Sequence, residues 1–502
     1  MKNIFNLKVN ESGGRFRFMP LILLSLLAAA LGLRGFLLLT RPPLWLDEAK
    51  LAVNLLERGY AGLLTPLNSE QLSPIGFPLL SKFLGEISHY NEIVLSLPAF
   101  LAGLLLVYLA FDYWKKTKGR VFLFLTLALA LNTNLIRHGA ELKHYSFDAL
   151  FSGLFLFEVL KGKGFTLKTF LLGILALLFS FAGIFSLFGY CVYSLFEAAR
   201  ERRRLAALKT CLYGLLWAGL FIFLCERCYL PGYRNLPLRN YWETGFFPLH
   251  AGLRDSAGWL FLTLNRSAFD PFSFALPGLL LLSVIVAEVK ALPRVRVFSL
   301  SVFLAALAAA VFQVYPLANR TMVYLVPVVM YLCLEGNIVL QGAITSRTLK
   351  GALSALVLLS FISPFAVAPL SVPRDDVRSA RREMLKEPLP AYVYYAADSQ
   401  WRFYDGRNKG EAYPAEAAHG HMSRDNPADY ARRIDEFAEG KAAFYLLHAH
   451  DFSGPAGSEY QLILAYLKNR FGKLAVTKYG GATLVRVTQK PDGLRTSAAS
   501  RQ

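Results

Sequence analysis

The chain has 502 residues, of which 55% are hydrophobic, and it carries a formal net charge of +19. A mean hydropathy of +0.39 at this length is typical of polytopic membrane proteins and excludes an ordinary soluble globular domain. Much of the positive charge lies in short segments between apolar runs, such as 115–120 and 200–204, which is the pattern of cytoplasmic loops. We therefore assign this charge to membrane topology and exclude nucleic acid as a partner.

Apolar runs recur from residue 18 to residue 370, each near the roughly 20 residues that a membrane span needs. They predict about eleven spans, at 18–40, 92–113, 121–137, 146–160, 165–180, 182–197, 207–229, 272–289, 297–315, 321–340 and 350–370. The first run continues past a signal-peptide-like "AAA" to Leu39, which favours an uncleaved span. Arg34, late in that run, is expected to snorkel to the outer interface, although a charge inside a span can also be functional.

With the N-terminus inside, alternation of the spans places residues 41–91 in a long first outer loop. Within it, "DEAKLAVNLLER" and "SPIGFPLLSKFLGEI" predict two amphipathic helices lying along the membrane surface. The segment 165–197 lies between two basic stretches, so it must run out and back as two short helices that meet near "SFAGIFS".

From about residue 372 the composition turns polar. The segments "AYVYYA", "AAFYLLHA" and "GATLVRVT" read as strands, while "PADYARRIDEFAE" and "SEYQLILAYLKNRF" read as helices, which together predict a small α/β domain. The predicted fold class is a polytopic α-helical membrane protein with a small extracytoplasmic α/β domain. Its predicted parts are a transmembrane domain at 1–371, the α/β domain at 372–490 and a disordered tail at 491–502.

Three polar clusters lie at the predicted outer ends of spans. The first is "DE" in "LWLDE", the second is "RHGAELKHYSFD", and the third is "YPLANR". Charges near the hydrocarbon are rare unless they face the interior of the helix bundle. Together the clusters supply cations for an anionic lipid head group and carboxylates that can act on a nucleophile. The catalytic candidates are Asp47, Glu48 and Glu141, and the candidates for binding a donor phosphate are Lys143, Tyr145, Arg320 and Arg137.

Each cluster also has a structural interpretation. Asp47 and Glu48 at a helix start are typical of a cap and of a partner for the helix dipole. Lys143 and Arg320 are typical of interface anchors. His144 alone is typical of an interfacial residue whose polar atoms are satisfied.

The sequence identifies no certain cofactor. His138 and Glu141 are three residues apart, as two metal ligands on one helical face would be, and they leave a divalent cation open. Cys225 and Cys228 in "CERC" lack an accompanying His pair, so the motif gives little support for zinc.

These motifs resemble the GT-C superfamily of integral membrane glycosyltransferases, in particular the bacterial branch related to protein O-mannosyltransferases and the lipid A aminoarabinose transferase. "LWLDE" after the first span looks like the acidic motif of the family's first outer loop. "AELKHYSFD" looks like its Glu-x-Arg-Pro-Tyr-type segment, with Glu141 and Tyr145 matching, Lys143 in place of Arg, and His144 departing from Pro. "YPLANRTMVYLVP" looks like its late Tyr-Pro…Arg…Pro segment.

The resemblance covers roughly residues 18–370 and implies transfer of a sugar from a polyprenyl-phosphate donor, with inversion, to a glycan, lipid or protein acceptor on the outer face of the membrane. It implies that Asp47 is the general base or orients the acceptor. It also implies that Lys143 and Arg320 hold the donor phosphate. The main alternatives are a transporter or flippase of lipid-linked sugars and an O-antigen ligase or polymerase.

Overall fold

The computed structural model describes residues 19–233, 241–268, 277–290, 292–361, 375–407, 412–423, 426–454 and 457–489. The chain divides into two compact units. The first unit consists of Met1–Leu39, Leu63–Ser81 and Ser96–Leu370, and the second of Thr40–Gly62, Lys82–Leu95 and Ser371–Gln502. The predicted first outer loop is thus divided between the two units. The predicted disordered tail, 491–502, lies outside the described residues.

Helices dominate the chain up to residue 361. In chain order they begin with α1 (Met19–Leu39), α2 (Leu46–Glu57), α3 (Tyr60–Leu63), α4 (Gly76–Ile87), α5 (Glu92–Thr117), α6 (Arg120–Leu131), α7 (Thr133–Gly139), α8 (Tyr145–Lys161), α9 (Leu167–Phe179) and α10 (Gly183–Arg200). They continue with α11 (Arg204–Leu224), a π-helical turn (Cys225–Tyr229), α12 (Leu230–Tyr233), a 3₁₀ turn (Glu243–Gly245), α13 (Leu253–Ala268), α14 (Pro277–Lys290), α15 (Pro293–Val311), a 3₁₀ segment (Asn319–Leu325), α16 (Val326–Gly342) and α17 (Arg347–Phe361).

Several of these helices are membrane spans by length and composition. Within the described ranges, four are long and apolar enough to cross a membrane, namely Glu92–Thr117, Arg204–Tyr229, Pro293–Val311 and Arg320–Gly342. The bent pair α6–α7 makes a fifth if it is counted as one span. Where the structure describes them, the predicted spans coincide with a helix or with consecutive helices, which confirms a mostly helical protein with several apolar spans. Residues 272–276 and 362–370 of two predicted spans lie outside the described residues. The total of about eleven stays a prediction.

The break between α9 and α10 lies where the sequence predicts two short helices to meet. The Ser180 hydroxyl donates to Asp148 Oδ1 at 2.5 Å, and the Gly183 amide donates to Ser180 Oγ at 2.8 Å. These bonds hold the polar groups of the break inside the first unit, where water is scarce. Nearby, Gly173 makes room for Trp217, because a Cβ at residue 173 would lie 2.1 Å from the indole ring.

The second unit contains a five-stranded mixed sheet of order β2-β1-β3-β7-β6. Its strands are β1 (Ala391–Val393), β2 (Ala417–His419), β3 (Ala443–Ala449), β6 (Lys473–Tyr479) and β7 (Ala482–Thr488), and the short β4 (Ser453–Gly454) and β5 (Gly457–Ser458) form a separate hairpin. Its helices are α18 (Val377–Met384), α19 (Asp398–Gly406), α20 (Pro427–Ala438) and α21 (Glu459–Arg470). The predicted C-terminal α/β region is confirmed, and the elements that the sequence did not predict are β2, β4, β5, β6, α18 and α19.

Helix α2, from the predicted first outer loop, belongs to this second unit. It packs on α19, where a Cβ at Gly406 would lie 2.9 Å from a methyl group of Leu56. Arg402 Nε and Nη2 donate to the two carboxylate oxygens of Glu57 at 3.1 and 2.5 Å. The start of α2 carries Asp47 and Glu48, so the C-terminal residues of this unit contact the helix that presents the predicted acids.

Candidate functional site

A break in the span formed by α6 and α7 positions the second polar cluster. The two helices are bent by 53° relative to one another. Asn132 lies at the bend and caps α7, because its side chain accepts a hydrogen bond from the Leu135 amide at 3.0 Å. A break in a span leaves backbone carbonyls without partners inside the helix, and inside a membrane each of these groups needs one.

Arg34 on α1 supplies those partners. Its guanidinium donates to the carbonyls of Leu129, Ala130 and Leu135 at 2.7, 3.0 and 3.3 Å. The residue is only 3% exposed, so the expectation that Arg34 snorkels to the interface is wrong. The carbonyls of the α6–α7 break attract the side chain into the protein. Gly103 on α5 leaves room for it, since a Cβ there would lie 3.2 Å from the guanidinium.

We expect the variant Arg34→Met to be strongly destabilised. It leaves three buried carbonyls without their donor, and each unsatisfied buried acceptor costs roughly 1–3 kcal/mol. The measurement is the midpoint of thermal unfolding in detergent, with Arg120→Met at the exposed start of α6 as the matched control. Equal midpoints for both variants and the wild type would show that Arg34 does not hold the break.

His138 and Glu141, on the segment after the break, contact each other. His138 Nδ1 lies 2.8 Å from Glu141 Oε2, and both side chains are buried. The His138 ring also packs edge-on against Tyr145, with ring centroids 5.0 Å apart. The predicted catalytic candidate Glu141 is therefore engaged by a neighbouring imidazole, and Tyr145 at the start of α8 lies in the same group.

His144 lies at the centre of this group and is buried. Its ring is 4.7 Å from the Tyr145 ring and 5.1 Å from the Phe181 ring. Burial holds the pKa of His144 well below its usual value, and the nearby positive charges of Lys143 and Arg320 lower it further. The lowered pKa favours the uncharged form of the imidazole.

Lys143 lies beside His144 and is buried. Its ammonium donates to the side-chain oxygen of Gln71 at 2.8 Å. Gln71 is itself buried and lies in the segment that precedes α4. Gln71 lies in the part of the predicted outer loop that belongs to the first unit. Its contact joins this part to the "AELKHYSFD" segment and orients the Lys143 ammonium.

Arg320 lies among aromatic rings. Its guanidinium carbon is 5.1 Å from the Trp242 ring, 5.9 Å from the Tyr241 ring and 6.0 Å from the Tyr145 ring. Cations within about 6 Å of a ring centroid are attracted by the ring face. Three rings around one guanidinium fix its plane and leave its charge in a partly dry environment.

The turns that carry Arg320 and Trp242 are joined by backbone contacts. The Leu317 amide donates to the Gly245 carbonyl at 2.7 Å. A Cβ at Gly245 would lie 2.9 Å from Pro316, so this approach requires glycine. Thr321 Oγ1 donates to the Pro316 carbonyl at 2.6 Å and closes the turn before Arg320.

The first unit thus brings together most of the predicted donor-binding residues. Tyr145 contacts Arg320, His144 and His138. Lys143 precedes His144 in the sequence, and its charge lowers the pKa of His144. Arg137 lies half-buried in the last turn of α7, and its role in binding phosphate stays a prediction. The residues that sequence reasoning missed are Gln71, Tyr241, Trp242 and Ser180, whose hydroxyl donates to Asp148 of the second cluster.

In the second unit, Asp47 and Glu48 occupy the first turn of α2. Glu48 is 2% exposed, accepts from Arg41 Nη2 at 2.8 Å and accepts from the Trp45 amide at 3.3 Å. Burial alone would lower the pKa of Arg41, but the carboxylates of Glu48 and Glu92 raise it above its usual value. Asp47 is half-buried. The two adjacent acids therefore differ in environment, and Glu48 is held as an ion-pair partner.

Metal binding was left open by the sequence. Among the residues that the structure describes, no group of three or more His, Cys, Asp or Glu side chains is arranged to hold a metal ion. His138 and Glu141 contact each other and by themselves offer two ligands.

The fold is similar to that of a solved membrane protein. The crystal structure of ArnT from Cupriavidus metallidurans bound to undecaprenyl phosphate matches with a TM-score of 0.50 and 14% sequence identity, over 93% of this chain and 98% of that chain. The apo state of the same protein matches with a TM-score of 0.49 and 13% identity, over the same shares. No family model and no curated protein sequence matches the chain. The fold is thus similar to that of ArnT, as the resemblance of the motifs led us to expect.

Proposed function

We propose that this chain is a membrane glycosyltransferase that moves a sugar from a polyprenyl-phosphate-linked donor to an acceptor glycan, lipid or protein. The observation that carries the proposal is the pair of cations in the first unit, where the Arg320 guanidinium lies among the rings of Tyr145 and Trp242 and the buried Lys143 immediately precedes His144. Such a group suits a phosphate with a hydrophobic tail. The ArnT-like fold supports the proposal, because that protein was solved with undecaprenyl phosphate bound.

The proposed reaction breaks the bond between the anomeric carbon of the sugar and the phosphate oxygen. The polyprenyl phosphate leaves as an anion, and Arg320 and Lys143 stabilise its charge. The acceptor hydroxyl forms the new glycosidic bond and passes its proton to Asp47, which acts as general base. Inversion at the anomeric carbon is implied by the resemblance to the GT-C superfamily. The reaction takes place at the outer face of the cell membrane, as the predicted topology implies.

The test uses the purified chain in proteoliposomes. A labelled sugar on undecaprenyl phosphate is supplied with a cell-envelope extract, and both labelled product and released undecaprenyl phosphate are measured. Equal amounts of product and released phosphate lipid are the expected result. Movement of the intact donor across the bilayer without cleavage would overturn the proposal in favour of a transporter.

We expect Lys143→Ala to weaken the binding of undecaprenyl phosphate by about 10- to 100-fold, because a charge-assisted hydrogen bond contributes roughly 1.5–3 kcal/mol. The measurement is the Kd of the purified protein for undecaprenyl phosphate. Lys116→Ala is the control, because Lys116 is exposed and pairs with Asp112 at 2.5 Å. Unchanged affinity in Lys143→Ala would remove Lys143 from the donor site.

A further inference from the structure

The start of helix α2 is capped by a residue far along the chain. The first amides of a helix have no partner inside the helix, and residue 45, which precedes α2, is a tryptophan, whose side chain has no hydrogen-bond acceptor. The Leu46 amide instead donates to Asp375 Oδ2 at 3.0 Å. Asp47 is the next residue. An acid of the C-terminal segment thus performs the capping that a local Ser, Thr, Asn or Asp performs in most helices.

Asp375 is itself fixed by the α/β region. It is 1% exposed, and His450 Nδ1, directly after β3, lies 3.2 Å from the same oxygen. The backbone at His450 has φ 55°, a left-handed conformation that few residues other than glycine adopt. The neighbouring Asp376 amide donates to the Gly480 carbonyl in the β6–β7 turn at 3.0 Å. The cap of α2 is therefore anchored to two parts of the sheet.

A second connection holds the chain just before α2. The Leu44 amide donates to the Tyr404 hydroxyl at 2.9 Å, and that hydroxyl donates to Glu92 Oε2 at 3.2 Å. Arg378 and Arg407 both donate to Glu92 Oε1 at 3.1 Å. The entry into α2 is thus bonded to α19 by a buried hydroxyl, whose acceptor is held in turn by two arginines.

Arg41 closes this network on the other side of the helix start. Its Nη1 donates to the Glu92 carbonyl at 3.0 Å, and its Nη2 donates to Glu48 Oε1 at 2.8 Å. The backbone on each side of Asp47 is therefore fixed by separate buried contacts, through Leu46 on one side and Glu48 on the other. Contacts of this kind keep a catalytic side chain within the narrow range of positions and orientations in which it can react.

We propose that the C-terminal α/β region is a positioning device for the start of α2 and that Asp375 is a positioning residue for Asp47. The inference rests on the proposed function, since it takes Asp47 to be the general base. It gives the α/β region a task within the same reaction. Contacts between residues 46 and 375 set the backbone from which the Asp47 carboxylate projects.

The test compares two variants that each remove a carboxylate at a helix start in the same unit. Asp375→Ala removes the cap of α2. Asp451→Ala removes a second acceptor at the start of α21, where Asp451 accepts from the Ser458 hydroxyl at 2.5 Å and from the Tyr460 amide at 2.9 Å, and the N-cap Ser458 stays in place. Both variants lose a carboxylate that accepts a hydrogen bond at a helix start, and only the first contacts α2.

We expect Asp375→Ala to lower kcat by about 10- to 100-fold, because misplacement of a catalytic group by about 1 Å has effects of that size. The KM for the donor should stay close to the wild-type value. Asp375→Asn keeps an oxygen that accepts from the Leu46 amide, so it should restore most of the turnover. Asp451→Ala should keep the wild-type kcat at equal amounts of folded protein.

Hydrogen–deuterium exchange of residues 44–49 separates this inference from the proposed function. Faster exchange there in Asp375→Ala, with wild-type exchange in Asp451→Ala, is the expected result. Wild-type exchange and wild-type kcat in Asp375→Ala would overturn the positioning role. A different outcome is faster exchange in Asp375→Ala combined with full turnover in Asp47→Asn. It would confirm that Asp375 caps α2 and would reject Asp47 as the general base. If Asp375→Ala does not fold, Tyr404→Phe, which removes the hydroxyl that accepts from the Leu44 amide, takes its place in the same measurements. Wild-type exchange and wild-type kcat in Tyr404→Phe would overturn the positioning of the α2 start by the C-terminal region.

Discussion

Replacing Asp47 by asparagine is expected to lower sugar transfer by about 10²- to 10⁴-fold, the range that a general base contributes. Asparagine keeps the size of aspartate, and the contact between Leu46 and Asp375 at the helix start does not involve the Asp47 carboxylate, so the protein should reach normal levels and unfold at the wild-type temperature. Affinity for undecaprenyl phosphate should change little, because the base acts on the acceptor. The measurements are turnover in proteoliposomes, donor Kd and the unfolding midpoint.

Glu48→Gln is the matched comparison for this prediction. Glu48 is adjacent in sequence, but its carboxylate is 2% exposed and forms an ion pair with Arg41. Its replacement removes the nearer of the two carboxylates that act on the buried Arg41 guanidinium and leaves only that of Glu92, and the loss of a buried ion-pair partner is destabilising. We therefore expect a lower unfolding midpoint and near-normal turnover per folded molecule. If Asp47→Asn keeps wild-type turnover, Asp47 is a structural residue and Glu141, beside His138, becomes the next candidate.

The helices and strands of this chain follow closely from local patterns in its sequence. The break between α6 and α7 also has a signal in the sequence, because Asn132 lies inside the apolar run "LALALNTNLI" and asparagine is a preferred helix cap. As a single continuous span, this run would contain no unpaired backbone carbonyls to which Arg34 could donate. With the break recognised, an arginine inside a span would have pointed to a polar partner rather than to the interface.

Other contacts join residues far apart in the chain, and the local sequence around them does not predict the pairing. Leu46 and Asp375 are 329 positions apart, and hydrophobic periodicity reports only which face of a helix is buried, without naming its partner. For this reason α2 read as part of an outer loop, whereas its polar contacts lie with the C-terminal residues of the second unit. Trp242 was missed for the same reason, since its contact with Arg320 depends on two turns joined through Gly245 and Leu317.

The role of Arg320 gives the second large expected effect. Arg320→Gln should lower kcat/KM by about 10²- to 10³-fold, as the loss of one preorganised charge-stabilising donor does in other active sites. Arg320→Lys keeps the charge but loses the planar group that packs among the rings of Trp242, Tyr241 and Tyr145, so its loss should be smaller but clear. Arg254→Gln, at an exposed position of α13, is the control and should behave as the wild type.

Trp242→Leu tests whether the rings contribute through the arginine. A cation–π contact is worth about 0.5–2 kcal/mol, so we expect a loss of about 2- to 30-fold in the wild-type background. In the Arg320→Gln background the same substitution should have almost no further effect, because the cation that the ring attracts is gone. The measurement is kcat/KM for the four proteins of this cycle. Additive losses would show that Trp242 acts independently of Arg320, and wild-type kcat/KM in Arg320→Gln would remove Arg320 from the stabilisation of the leaving phosphate.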